Sequence, residues 1–182
     1  MRTLKKLYAI CALFVVMISC SKSGGDPADS GIVDATWKMG GYTYARRTSN
    51  QSSLVVGGAN LYIVYTTTSG ASNQGAFAGS AVTIRFFDQG PGEYTIVPET
   101  AFLTANAPNR IMSIDCAIGT ATATGSTLYT YGSGNVKAKV TKVNNQYQVT
   151  VDQDIRLNRK IDINGGVAGA LTNYDFTCKA IF

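Results

Sequence analysis

Lys137-Ala138-Lys139-Val140-Thr141-Lys142-Val143-Asn144-Asn145-Gln146-Tyr147-Gln148-Val149-Thr150-Val151-Asp152 is the stretch that decides the fold class. Two asparagines between two alternating runs predict a two-residue type I′ turn, since that turn needs left-handed backbone at both central positions. Val143 then faces Gln146, and the pairing continues as Val140 with Val149 and Ala138 with Val151. The opposite face sets Lys139 against Thr150 and Lys137 against Asp152. One register gives an apolar side and a wet side, as expected of a half-buried antiparallel pair. Ile155, Leu157, Ile161 and Ile163 carry the same parity to a further turn at Asn164-Gly165-Gly166.

Moving outward, the same period of two recurs. Thr36 to Arg47 reads as one strand, with Trp37 and Met39 on one face, Tyr42 and Tyr44 on the other, and Gly40-Gly41 allowing a bulge. Leu54-Val55-Val56 and Leu61 to Thr67 are apolar on both faces and predict a central position, interrupted at Gly57-Gly58. Val82, Ile84 and Phe86 lead through Gly90-Pro91-Gly92 to Tyr94 and Ile96, which predicts a hairpin. Pro98 to Asn109 reads as a surface loop. Arg110 to Gly119, Thr127 to Tyr131 and Asp175 to Phe182 are further strands. Short strands spaced by turn residues, with no amphipathic helix, predict one all-β domain over residues 32–182. The expected form is an antiparallel β-sandwich of about nine strands, with a flattened lipocalin-like β-barrel as the alternative; the sequence does not choose between closure and two open sheets.

The N-terminus carries an address. Met1 to Lys6 is a basic head and Leu7 to Ile18 an apolar run, too short to span the roughly 30 Å bilayer core as a permanent helix. Val16-Met17-Ile18-Ser19-Cys20 closes it and resembles a bacterial lipobox, which implies a signal peptide over 1–19, cleavage before Cys20 and a diacylglycerol thioether on that cysteine. Residues 20–31, small and polar with Gly and Pro, read as a flexible tether. The same run resembles the spacer of small lipoproteins from Bacteroidetes-type bacteria. Ser21, directly after the cysteine, resembles the residue found in lipoproteins sent to an outer membrane. The implied location is the cell envelope, anchored in the outer membrane through Cys20; whether the domain faces the periplasm or the outside stays open.

Export changes the chemistry of what remains. Without Arg2, Lys5 and Lys6, thirteen basic and eleven acidic side chains are left, a net charge near +2 in place of +5. Nucleic acid is therefore not an expected partner. Cys11 leaves with the signal and Cys20 takes lipid, so Cys116 and Cys178 remain, each on the apolar face of its strand. They are a disulfide candidate in an oxidising compartment. The bond would close a loop of 63 residues, worth about 4 kcal/mol by chain entropy; buried free thiols are the alternative.

The chain has no histidine, which excludes Ser-His-Asp and Cys-His nucleophiles and every His-ligated metal. No catalytic residue, metal site or cofactor is expected. Asp88, Glu93, Glu99 and Asp115 are the acids a carboxylate-dependent glycan hydrolase would need, but no spacing singles out a pair. The Asp162-Ile163-Asn164-Gly165 run reads as a turn rather than a calcium loop, and Arg156, Arg159 and Lys160 as a solvated basic edge. Tyr42 with Tyr44, and Tyr129 with Tyr131, each repeat an aromatic on one strand face. If exposed they form a binding platform for glycan or protein. The functional expectation is a lipid-anchored, non-catalytic module binding a glycan, a small apolar ligand or a protein partner. A purely structural envelope lipoprotein is the alternative, and a glycan hydrolase the third reading.

Overall fold

The computed structural model describes residues 35–68, 77, 79–105, 109–120 and 125–182; the expected signal peptide (1–19), Cys20 and the expected tether (20–31) lie outside them. Eleven strands form one large, largely antiparallel sheet: β1 (Thr36–Met39), β2 (Tyr42–Ala45), β3 (Thr48–Val56), β4 (Ala59–Thr68), β5 (Ser80–Phe87), β6 (Gly92–Ile96), β7 (Ile111–Thr120), β8 (Gly125–Tyr131), β9 (Lys137–Val143), β10 (Gln146–Ile163) and β11 (Asn173–Ile181). The expected all-β class is what the chain forms.

The order is β2-β1-β11-β10-β9-β6-β7-β5-β4-β3, with β8 bridging β7 and β10. Its two terminal strands are consecutive in the chain, separated by Arg46 and Arg47 alone. The Arg46 N–H donates to the Ala35 carbonyl on the β1 side and the Arg47 N–H to the Thr67 carbonyl on the β4 side. The sheet thus wraps onto itself through β2–β3, its halves facing each other as in a sandwich and joined as in a flattened barrel. Between β7 and β10 it forks. β8 fills one end of the gap; β9 and β6 fill the other, where β6 runs parallel to β7 with Thr95 opposite Ile111.

The inward faces carry the expected residues. Trp37, Met39, Val64, Ile84, Phe86, Met112, Ile114, Val140, Val149, Leu157 and Phe176 are all buried. The Asn144-Asn145 hairpin forms in the expected register, with φ of 48° and 65° at its two asparagines, but pairing ends at Lys139 opposite Thr150. Ala138 pairs Tyr94 instead, and the Lys137 ammonium donates to Thr95 Oγ1 at 2.9 Å, so the Lys137–Asp152 pair is not made. The cause is a bulge: Val151 faces Cys178 while Ile155 faces Phe176, so β10 bends away to follow β11. A second irregularity beyond Arg159 leaves Ile161 exposed.

Five further expectations change. Leu54-Val55-Val56, expected to be central because it is apolar on both faces, lies on β3 at one end of the sheet order, with Val55 exposed. Thr36 to Arg47 is a hairpin, not one bulged strand, because Gly40 at φ +56° turns the chain. Trp37 and Tyr44 therefore share a face and stack 5.7 Å apart. β5 and β6 do not pair; the Gly90-Pro91-Gly92 run is a corner, held by the Arg110 guanidinium on the carbonyls of Gln89 and Pro91. A short helix, α1 (Glu99–Thr104), occupies part of the expected loop because Phe102 stacks on Phe87 at 5.1 Å. The expected Cys116–Cys178 disulfide is absent: both thiols are buried and free. β8 and β10 lie between their strands in the ladder. Each sulfur has its own neighbour, Ser80 Oγ 3.5 Å from Cys116 Sγ and the Val149 carbonyl 3.8 Å from Cys178 Sγ.

Candidate functional site

The tyrosine pairs sit where strand parity sends them, on the inner face. Tyr44, Tyr129 and Tyr131 are buried, and Tyr42 is half-buried with its ring 5.1 Å from Phe77. None offers an open platform, which corrects the binding assignment of Tyr42, Tyr44, Tyr129 and Tyr131. Alternation identified the shared face but not its direction. The Tyr129 hydroxyl donates to the Leu171 carbonyl at 2.7 Å, and burial pushes its pKa up to about 12. Burial also raises Tyr44, with the Cys116 thiol the next contributor; the Tyr44 hydroxyl has no hydrogen-bond partner. At the fork, Gly134 has to be glycine, since a Cβ there would lie 2.3 Å from the Tyr131 hydroxyl oxygen.

The four acids proposed for glycan hydrolysis are engaged separately. Asp88 accepts from the Tyr147 hydroxyl at 2.5 Å and from the Gly90 N–H at 2.9 Å, closing the corner after β5. Glu93 faces Lys139 across β6 and β9, and Glu99 pairs with Lys160. Asp115 pairs with Arg85 at 2.6 Å. The basic residues expected to be a solvated edge are likewise partnered: Arg156 with Asp175, Arg159 with Asp162, Lys160 with Glu99. Among the described residues no three His, Cys, Asp or Glu side chains cluster as metal ligands.

One cluster was not anticipated. Ser113 and Asp115 alternate with Met112, Ile114 and Cys116 and so point outward, where water would be their expected neighbour. Both are buried: the Asp115 side chain is 3% exposed, its partner Arg85 28%. Thr130 faces Asp115 directly across β7 and β8, and Arg85 faces Ser113 across β5 and β7. The second carboxylate oxygen Oδ1 of Asp115, Ser113 Oγ and Thr130 Oγ1 all lack a hydrogen-bond partner. Buried polar atoms are normally satisfied, because leaving one unpaired costs about 1–3 kcal/mol. Here three lie on neighbouring positions of one outer wall, beside a guanidinium with part of its surface open. Of this group only the Arg85 guanidinium reaches solvent; the two hydroxyls and the carboxylate oxygen are enclosed beside it. No signal in the sequence marks it, since alternation alone makes Ser113 and Asp115 ordinary surface residues.

Compared with protein-family models, curated proteins and solved structures, the chain matches none.

Proposed function

We propose that this chain is a lipid-anchored envelope protein, held in the outer membrane through Cys20, whose β domain is a non-catalytic binding module for a hydroxyl-rich partner, a glycan or a polar protein surface. The observation that supports this reading is the part-exposed Arg85 guanidinium, held on Asp115 beside the enclosed, unpartnered oxygens of Ser113, Asp115 and Thr130. Buried polar groups that cost stability are retained where a ligand or bound water completes them. A small apolar ligand inside the fold has less support, because Trp37, Tyr44, Phe86, Tyr129, Tyr131 and Phe176 fill the inner face. The burial of those tyrosines is also what favours the second reading, a purely structural envelope lipoprotein.

The two readings separate on an array carrying glycans and lipids, probed with the mature chain. Glycan binding supports the module; binding to neither class supports the structural reading. The anchor is tested independently by Cys20→Ala, which is expected to move the protein from the membrane to the soluble fraction. Retention in the membrane pellet would remove the lipid assignment.

A further inference from the structure

Ser113 and Asp115 stand on the outer side of β7, so something on that side has to enclose them. The chain leaves β6 alongside β7, where the Val97 N–H donates to the Met112 carbonyl, and α1 then packs on β7. The helix is held at two points. Phe102 is buried against Phe87 of β5, and Glu99 pairs with Lys160 of β10. Phe87 lies two residues from Arg85, which faces Ser113; Lys160 lies two residues from Asn158, which faces Thr130, itself opposite Asp115. A line from one anchor to the other therefore runs diagonally over Ser113, Asp115 and Thr130. The six helical residues are about 9 Å long, close to the width of two strand spacings of about 4.8 Å each, as from β5 over β7 to β8.

We infer that α1 is a releasable cover, and that its opening makes Ser113, Asp115 and Thr130 available to a ligand. The inference rests on the proposed function for what the ligand is, but not for the opening itself. The cover is weakly held. Six residues are too few for a helix that is stable by itself, and Pro98 at its start supplies no side-chain cap. The Glu99 and Lys160 side chains are 25% and 35% exposed, so water and salt screen their attraction. The wall beneath gives the closed helix nothing polar in return, since Ser113 Oγ, Asp115 Oδ1 and Thr130 Oγ1 bond neither to it nor to one another. Closure keeps three oxygens from water, and opening hydrates them. The strand itself has no reason to move, because Met112, Ile114 and Cys116 hold its other face in the core. The opening is thus local, confined to the element with the fewest buried contacts.

The test uses the full chain in detergent. Ser113→Cys puts a thiol under α1 with little change in size and no hydrogen bond lost. Cys116, buried on the inner face of the same strand, reports opening of the whole domain. Labelling with a water-soluble maleimide, assigned to each cysteine by mass spectrometry, is expected to reach the introduced thiol at least about tenfold faster than Cys116. Adding Glu99→Gln, which breaks the ion pair, is expected to speed labelling of the introduced thiol about threefold and leave Cys116 unchanged; Phe102→Ala is expected to speed it at least about tenfold. Equal rates at the two thiols, or a rate at the introduced thiol that neither substitution moves, overturn the inference. On a glycan array, Glu99→Gln in the otherwise native chain is expected to bind about threefold more tightly any glycan the native chain binds, because more of it is open; equal binding also overturns the inference. An array silent for both chains counts against the proposed function and not against the cover, which the labelling alone then decides.

Discussion

The clearest energetic statement at the scale of single residues concerns oxygens without partners. Thr130 Oγ1 is buried and unpaired beside Asp115. Valine has nearly the same shape without the hydroxyl, so Thr130→Val is expected to stabilise the fold by about 1 kcal/mol, read as an increase in denaturation midpoint at unchanged slope. A destabilisation of that size would show that the hydroxyl already holds a partner such as ordered water. The two thiols give a second residue-scale expectation. Burial pushes Cys116 and Cys178 from an ordinary 9.0 up to about 12. Their contribution is constant while both folded and unfolded thiols are protonated, below about pH 9. Above that the unfolded chain loses protons that the folded one keeps, so stability falls from pH 9 towards pH 12. The tyrosines raised by burial act in the same direction at the upper end of this range. Denaturation midpoints measured from pH 7 to 11 are expected to be level and then decline, and native thiols are expected to resist a disulfide-forming reagent at pH 8 until the chain is unfolded.

Among the elements, the β9–β10 hairpin shows what sequence pattern carries and where it stops. Its turn and register follow from Asn144-Asn145, whose positive φ angles are those the turn type demands. Asn145→Gly removes the Cβ cost of the φ at 65° and is expected to stabilise the protein by about 0.5 kcal/mol in thermal or chemical unfolding. A loss of stability there would mean that the Asn145 side chain contributes more than its backbone preference. The hairpin's end was not legible, because the bulge after Val151 is dictated by β11, which contacts β10 from the far end of the chain. The same holds for α1. Its six residues have little intrinsic helical stability, and they form because Phe102 finds Phe87.

At the scale of the whole molecule, alternation exposed the inward positions well: Trp37, Val82, Ile84, Met112, Val140, Val149 and Leu157 are buried as expected. Closure was not legible, because it rests on the opposite bonding of two adjacent amides, Arg46 and Arg47, to partners at Ala35 and Thr67. The direction of the tyrosine face was left open for a related reason. Period two says that Tyr129 and Tyr131 share a face, and only the wrapped sheet says which side that face is on. The outer-wall cluster escaped notice because Ser113 and Asp115 occupy positions that alternation assigns to water, and their burial is a property of the assembled fold. In the proposed function the domain is a filled β scaffold whose contact with a partner is made at the part-exposed Arg85, over the enclosed polar group of Ser113, Asp115 and Thr130. The most direct test is a glycan array probed in parallel with the mature chain and with the Ser113→Ala/Thr130→Val variant. Glycan binding by the native protein, lost at least about tenfold in a variant that melts at a higher temperature, is the expected result; equal binding by both proteins, or no glycan bound by the native one, would contradict it.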